Sequence, residues 1–447
     1  MSPRTSLSYC LSLLADFLPE DLPSLTPDLP TELILQALYA TGTASIRRRR
    51  LPAEQVVWLV LGMALFRHLS IVQIVDQLGL ALPKGRSAIV PAAIHQARGR
   101  LGALPLLWLF EATAQRWAQD SARDNDFCGL ALYCVDGTTL RVPDSEENRA
   151  HFGGTDTHRG PSGYPLLRVV TLMAVRSHLI AAAALGPYAT HEVVYAASLW
   201  DQVPERSLVV LDRGYFSAWV FHRLVTGCTQ RHFLIRLRTD FKARVVKRLG
   251  PGDDIVELRV SREARKKHPE LPETMQLRRL SYQRKGFRKQ AVLTSMMDPK
   301  TYPATKVVEA YHQRWEVELG FDEVKTEMLE QKESLRSQSV EAVEQEAWGV
   351  LLAYNLVRQE MVRLGKLCRV EPYRLSFAAT LTMLWQLWQM MSLRFAGGIP
   401  ALVQRWEAQM QRLILPPRRS QRSYPRAVKI KMSNYDRKRP IFDGEGA

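Results

Sequence analysis

The chain has 447 residues and a formal net charge of +16, from 61 Lys and Arg against 45 Asp and Glu. This length allows two or three domains, and the positive charge favours a polyanionic partner, nucleic acid before a membrane surface. The apolar run over residues 56–66 is too short to span a bilayer. Five scattered cysteines without a C-x-x-C pair argue against a disulfide framework and a zinc knuckle. With no signal peptide recognisable, we expect a soluble protein of a reducing cytosol, without membrane association.

Residues 1–125 are predicted to form a helical N-terminal domain. Ser70 and Gln73 have the spacing of a capping box, and Pro52 is suited to begin a helix. Residues 91–100 and 104–117 continue the helical pattern. The Arg47–Arg50 run and the Arg98/Arg100 pair add positive charge, so we expect this domain to contact DNA. A purely structural packing role is the alternative.

Residues 126–237 are predicted to form the first part of an α/β catalytic core. Apolar runs typical of strands cover residues 130–135, 166–175, 179–185, 207–211 and 232–237, with helices near 191–200 and after 217. Three early strands followed by alternating helix and strand indicate a mixed sheet. This is also the strand order of an RNase H-like core of five strands.

The rest of the chain divides by its pattern into four segments. Residues 238–302 contain short β patterns broken by Gly and Pro, which predict an all-β insertion into the core. Residues 303–365 complete the core, and 366–415 form a helical C-terminal region. The basic tail, 416–447, has nine Lys and Arg against one acid between residues 416 and 440. It has too few apolar residues to fold alone, so we expect it to order on a partner.

Residues 311–325 are predicted to form one helix with a polar stripe. At 100° per residue, a stripe about 60° wide contains a phenol, two cations and a carboxylate. These side chains are Tyr311, Arg314, Glu318 and Lys325. Asp322 falls on the same stripe, so helix geometry alone does not choose between it and Glu318. Ion pairs on a solvated helix are the alternative explanation for the stripe.

Two aspartates follow apolar strand runs. Asp136 and Asp212 each end such a run, and functional groups collect where strands leave a sheet. Aspartate is also an ordinary turn former, so each alone is a weak signal. Together with Glu318 they would place three carboxylates in one cleft, which invites a divalent cation to neutralise them. Oxygen ligands without a Cys/His cluster suit Mg²⁺ or Mn²⁺.

The spacing Tyr-x2-Arg-x3-Glu-x6-Lys resembles the YREK signature of the insertion-sequence-four family of bacterial DDE transposases. Asp136-Gly-Thr, with Asn148 and Phe152 downstream, resembles the first catalytic aspartate of that family. The block from Asp212 to Tyr215 resembles the second, and Tyr354-Asn-Leu-Val-Arg358 also matches the family pattern. The resemblance covers residues 130–360.

The resemblance implies a function for each of these residues. Asp136, Asp212 and Glu318 would be the catalytic, metal-binding triad. The DNA contacts would come from Tyr311, Arg314, Lys325, Arg213 and Arg236. The implied partners are duplex DNA, as terminal inverted repeats and target, and a second copy of the chain in a synaptic complex. The implied location is the cytoplasm of a bacterium, on nucleoid DNA.

The implied reaction is phosphodiester hydrolysis at the ends of the element, followed by attack of the freed 3′-OH on target DNA with two metal ions. Related transposases stack a flipped base of a hairpin intermediate on a tryptophan of the insertion. Gln290 stands at that position, and no tryptophan lies between Trp219 and Trp315. An RNase H-like nuclease without strand transfer and an inactive, transposase-derived DNA-binding protein are the alternative functions.

Overall fold

A computed structural model of the chain describes residues 28–45, 51–78, 80, 89–123, 127–157, 160–161, 163–228, 230–238, 241–284, 287–330, 334–391, 410–416, 427–429 and 436–438. The chain divides into two compact units. The first unit comprises Met1–Asn125, Cys134–Gln202 and Trp315–Leu415. The second comprises Asp126–Tyr133, Val203–Arg314 and Pro416–Ala447. The six segment boundaries expected from the sequence remain predictions.

The fold is mixed α/β, with helices and a large mixed sheet. The α-helices of the described residues are α1 (Thr31–Ala40), α2 (Ala53–Leu65), α3 (Ile71–Gln77), α4 (Pro91–Leu101), α5 (Leu104–Arg123), α6 (Glu146–Phe152), α7 (Glu192–Ala196), α8 (Ala218–Val225), α9 (Arg262–Lys267), α10 (Ala304–His312), α11 (Trp315–Asp322), α12 (Val340–Cys368) and α13 (Phe377–Met391). The strands are β1 (Ala131–Arg141), β2 (Asp156–Thr157), β3 (Gly160–Pro161), β4 (Leu166–Ala174), β5 (Ile180–Pro187), β6 (Ser207–Leu211), β7 (Arg231–Arg236), β8 (Arg244–Gly250), β9 (Asp253–Arg259), β10 (Thr274–Tyr282), β11 (Gln290–Thr294), β12 (Ala427–Lys429) and β13 (Asp436–Lys438).

The N-terminal helices of the first unit begin where the sequence predicts. Pro52 immediately precedes α2, and the reciprocal Ser70–Gln73 capping box closes the start of α3. Helix α2 is buried almost throughout, because it packs closely on α12. A Cβ built on Gly349 of α12 would lie 2.4 Å from Val60 Cγ1. Only a glycine permits this approach of the two helices.

The expected contribution of Arg98 to DNA binding is wrong. Arg98 is buried and donates from Nε to Gln345 Oε1 at 2.8 Å and from Nη2 to Ser337 Oγ at 2.9 Å. Its guanidinium is therefore used to join α4 to the start of α12. Arg100 remains exposed, and the arginine run at residues 47–50 lies outside the described residues.

In the first unit the strand order is β5-β4-β1, with β4 and β5 antiparallel. Asp136 does not end its strand as expected, because β1 continues to Arg141. The apolar run stops at Val135, but residues 136–139 stay half-buried and keep the extended backbone. The loss of apolar residues therefore marks a change in burial along β1 and not its end.

In the second unit the strand order is β6-β7-β11-β10-β9-β8. The pair β6–β7 is parallel, with α8 between the two strands in sequence, and the other pairs are antiparallel. The predicted strands of the insertion are all present, but an all-β insertion is wrong because α9 interrupts it. Ser261 caps α9 by accepting a hydrogen bond from Ala264 N at 3.1 Å, and helix-forming charged residues follow.

The single helix expected over residues 311–325 is also wrong. Helix α10 ends at His312, and the Arg314 amide bonds to Tyr311 O at 3.2 Å, the tighter 3₁₀ pattern that closes a helix end. Helix α11 begins at Trp315, and a π-helical turn follows it over Glu323–Met328. The regular 100° spacing therefore does not hold across the signature.

Candidate active site

The predicted site residues are divided between the two units. The first unit contains Asp136, Glu318 and Lys325. The second unit contains Asp212, Arg213, Arg236, Tyr311 and Arg314.

In the second unit, Tyr311 is the centre of a charged cluster. Its side chain, near the end of α10, is buried, and burial raises the pKa of Tyr311 to about 12. The cations Arg314 and Arg236 oppose this rise, whereas Asp212 adds to it. The phenol therefore keeps its proton at neutral pH and is a hydrogen-bond donor beside two guanidinium groups. This combination suits a phosphate oxygen.

Asp212 lies where the sequence predicts it, directly after β6. Its backbone is extended, and a 3₁₀ turn over Arg213–Tyr215 begins at the next residue. The Asp212 side chain is half-buried, whereas Arg213 is exposed. Among the predicted cations of this unit, Arg236 and Arg314 thus share the electrostatic environment of Tyr311, and Arg213 faces solvent.

The cluster also contains His312, which the sequence analysis missed, together with Tyr282 and Gln290. The Tyr282 hydroxyl donates to Gln290 Oε1 at 3.2 Å, and its ring meets the His312 ring edge-on at 5.6 Å between centroids. Burial, together with the nearby cations Arg284 and Arg236, lowers the pKa of His312 to about 4. His312 is therefore neutral at pH 7. The pairing of Tyr282 with Gln290 follows from the β10–β11 register and has no local sequence signal.

The first unit holds the other two carboxylates and the signature lysine. Asp136 Oδ1 accepts a hydrogen bond from the Gly137 amide at 2.9 Å, and the side chain is half-buried. Glu318 on α11 and Lys325 in the π-helical turn are also half-buried. Asp322, the rival of Glu318, is exposed at the end of α11. Partial burial suits a ligand that must reach a substrate yet keep a defined orientation.

The predicted metal ligands are all carboxylates. Within the described ranges, no group of three or more His, Cys, Asp or Glu side chains is arranged to hold a metal ion. Asp136, Asp212 and Glu318 offer carboxylate oxygens, which are the ligands that Mg²⁺ and Mn²⁺ prefer. The donor set therefore fits a divalent cation, and the convergence of the three carboxylates stays a prediction. In the described part of the chain, no helix is both long and apolar enough to cross a bilayer.

Comparison with known proteins identifies the family. Residues 19–111 match the insertion element 4 transposase N-terminal domain, and residues 129–356 match the transposase DDE domain. Over 422 residues the chain is 39% identical to the Escherichia coli (strain K12) transposase InsG for insertion sequence element IS4, covering 94% of this chain and 95% of InsG. It is 34% identical over 210 residues to InsZ of the same strain, covering 46% of this chain and 69% of InsZ.

A solved structure, the piggyBac transposase synaptic complex with hairpin DNA, aligns with a TM-score of 0.39 and 12% identity, covering 94% of this chain and 87% of that chain. The two domain matches define the class of protein: a DNA transposase with DDE chemistry. The chain belongs to the insertion-sequence-four family of DDE transposases. Enzymes with this domain act on DNA and use divalent metal ions.

Proposed function

We propose that this transposase cuts DNA at the ends of its own insertion sequence and joins the 3′-OH ends to target DNA. Asp136, Asp212 and Glu318 are the catalytic triad in this proposal. The observation that carries it is the cluster around Tyr311, in which Asp212, Arg236 and Arg314 act on one buried phenol. A carboxylate next to phosphate-binding donors is the arrangement that phosphodiester chemistry requires.

The cations and the phenol hold the DNA end. Arg314 and Arg236 neutralise backbone phosphates, and the protonated Tyr311 hydroxyl donates to a phosphate oxygen. Lys325 supplies a further positive charge. Arg213, which is exposed, contacts the DNA backbone. Each contact is electrostatic, so the affinity for the DNA end falls as the salt concentration rises.

The three carboxylates would hold two Mg²⁺ or Mn²⁺ ions. When bound, the ions supply Lewis-acid activation of the attacking oxygen and stabilisation of the leaving oxygen. In the first step, water attacks the phosphorus at the element's end and the 3′-oxygen leaves. In the second step, that 3′-OH attacks a target phosphodiester and displaces a target 3′-oxygen.

The proposal includes the wider organisation of the enzyme. The catalytic part is an RNase H-like core of five strands, β1, β4, β5, β6 and β7, interrupted by the insertion over residues 238–302. The helical domain over residues 1–125 binds the terminal inverted repeats, and two copies of the chain form the synaptic complex. The enzyme works on nucleoid DNA in the bacterial cytoplasm.

The activity is tested with DNA that carries the inverted repeats found beside the gene. We expect Mg²⁺- or Mn²⁺-dependent nicking at the repeat end and joining of the 3′-OH to a supercoiled plasmid. Nicking without joining would identify a nuclease instead. Binding without either reaction would identify an inactive, transposase-derived protein.

The triad is tested by two matched substitutions on α11. We expect Glu318→Ala to abolish nicking and joining, because Glu318 is a proposed metal ligand. Binding to the DNA end in a mobility-shift assay should persist, because Glu318 contributes little to DNA affinity. Asp322→Ala, the control on the same helix, should keep most activity. Arg314→Ala and Lys325→Ala should instead weaken end binding, since they lose charge-assisted phosphate contacts. A dead Asp322→Ala and an active Glu318→Ala would reassign the triad.

A further inference from the structure

An ion pair between a buried arginine and a half-buried glutamate lies in the first unit, and the glutamate is the first residue after α11. The Arg358 guanidinium on α12 is fully buried, and its Nη2 donates to both carboxylate oxygens of Glu323. The Tyr354 hydroxyl donates to Glu323 Oε2 at 2.9 Å. Arg358 Nε lies 3.3 Å from the same hydroxyl. One turn of α12 thus binds the Glu323 carboxylate with two side chains.

The turn between β4 and β5 supplies a third contact. His178 in this turn is buried, with Nε2 3.1 Å from Glu316 Oε2 and Nδ1 3.5 Å from Glu323 Oε2. Its φ is +58°, a left-handed conformation that costs a non-glycine residue free energy. The ring contacts explain why a histidine is held there.

Asn355 fixes the same turn to α12. Its side-chain amide bonds both backbone groups of Ile180, donating to Ile180 O at 2.8 Å and accepting from Ile180 N at 2.9 Å. The amide thus takes the place of a neighbouring strand at the start of β5. Hydrogen bonds therefore join the β4–β5 turn and Glu323 to α12.

The network is ionic. Burial by itself would raise the pKa of Glu323, but Arg358 and His178 outweigh burial and lower it below the ordinary value. The carboxylate is therefore charged at neutral pH. A buried ion pair stabilises a fold no better than well-packed apolar side chains of similar size. Stability alone does not account for the pair, whereas a defined orientation of the groups it holds does.

The backbone changes its helical type at the residue that Arg358 holds. The π-helical turn begins at Glu323, and the Leu329 amide bonds to Val324 O, five residues back, at 3.1 Å. Lys325 lies inside this turn, and Glu318 lies on α11 before it. A π turn holds more residues than an α turn, so it changes the direction of Lys325 relative to Glu318. Such turns are rare and are frequent at functional sites.

We propose that Glu323 and Arg358 are positioning residues of the transposition reaction. Their ion pair sets the orientation of the segment that carries Glu318 and Lys325. The proposal rests on the roles proposed above for those two residues. Neither Glu323 nor Arg358 touches the reacting atoms; they act through the backbone between residues 318 and 325. A displacement of about 1 Å at a reacting group costs roughly a hundredfold in rate.

The test compares this ion pair with another buried charge on α12. Glu323→Gln keeps the size of the side chain and removes its charge, and Arg358→Lys keeps a charge but loses the two-oxygen contact. Glu346→Gln is the matched control, because Glu346 is buried on the same helix and pairs with Arg67 at 2.9 Å. For each full-length variant we would measure urea unfolding, the Kd for the DNA end without divalent ion, and kcat and KM for nicking.

All rates are taken at a temperature where each variant is folded. We expect Glu323→Gln to lower kcat roughly tenfold or more, and to weaken end binding no more than Lys325→Ala does, because Lys325 lies in the segment that the pair orients. Arg358→Lys should lose less, as a partial rescue by the conservative residue. Glu346→Gln should lose stability without losing kcat. If Glu323→Gln loses stability but keeps kcat, or if it weakens end binding more than Lys325→Ala does, the positioning role is overturned.

A double-mutant cycle adds a second readout. If the pair acts as a unit, Glu323→Gln combined with Arg358→Lys should lower kcat no further than the stronger single variant. Additive losses would contradict the proposal. An active Glu318→Ala would refute the proposed triad. This outcome is distinguishable from failure of the positioning proposal, because it does not alter the coupling measured between Glu323 and Arg358.

Discussion

At the scale of single residues, burial determines which charged side chains can contact DNA or a metal ion. Asp322 and Glu318 share one helix, but only Glu318 is half-buried, in the way a metal ligand is expected to be. Arg98 is basic yet buried, and it joins α4 to α12. Tyr311 is a buried phenol in the electrostatic environment of two arginines, and burial raises its pKa to about 12. The same residue types at exposed positions would be ordinary surface groups.

Glu360 on α12 gives a prediction at this scale. Burial raises the pKa of Glu360 to about 8 from an ordinary 4.5, with Arg363, 3.6 Å away, opposing the rise and Asp28 adding to it. Between pH 4.5 and about pH 8, the Glu360 carboxyl is deprotonated in the unfolded chain but still protonated in the folded chain. The free energy of unfolding therefore falls as pH rises through this range and levels off above it. At pH 7 the penalty is on the order of 3 kcal/mol.

Glu360→Gln should remove this pH dependence. We expect urea unfolding to show a flatter stability profile between pH 5 and pH 8, with the variant more stable than the parent at pH 8. Glu111→Gln, an exposed carboxylate on α5, is the control and should follow the parent. Parallel profiles for Glu360→Gln and the parent would mean that Glu360 is ionised in the folded chain.

At the scale of elements, close packing places α11 against β4. A Cβ built on Gly320 would lie 2.9 Å from both Cε and Sδ of Met173 and 3.2 Å from the Tyr354 hydroxyl. The methionine is flexible, but the hydroxyl is bound to Glu323 and Arg358. The contact therefore determines the position of the helix that carries Glu318.

Gly320→Ala should act against its helix propensity. Alanine in an open helix gains up to about 1 kcal/mol over glycine, but overpacking here should cost roughly 1–3 kcal/mol and shift α11. We expect lower stability in urea and a lower nicking rate. Gly99→Ala on α4 is the control, because nothing lies within 4 Å of its Cβ, and it should be stabilised. A stabilised Gly320→Ala would show that Met173 yields freely.

At the scale of the whole molecule, net positive charge is the property that favours binding to DNA. The net charge of +16 includes the basic tail, most of which lies outside the described residues. Non-specific DNA binding is dominated by phosphate contacts, and each contact adds about 0.9 to the slope of log K against log salt. A tail that binds phosphates therefore raises both the affinity and its salt dependence.

Removal of residues 416–447 should flatten this slope for duplex DNA. The slope is measured by fluorescence anisotropy from low to moderate salt, with the full chain as reference. A full-length variant with the tail's Lys and Arg changed to Gln is the control, and it should reproduce the truncation. An unchanged slope in both would mean that the tail is a solvated end without a role in binding.

The sequence by itself determined many of the local elements and the family to which the chain belongs. The Ser70 capping box, the strand before Asp212 and the signature spacing depend on residues close together in the chain, so periodicity and motif were sufficient to find them. The tertiary structure decided which groups are buried and what lies opposite them. Arg98 meets Gln345 and Glu323 meets Arg358 across long stretches of chain. Such partners are set by packing between distant segments, which leaves no local pattern in the sequence.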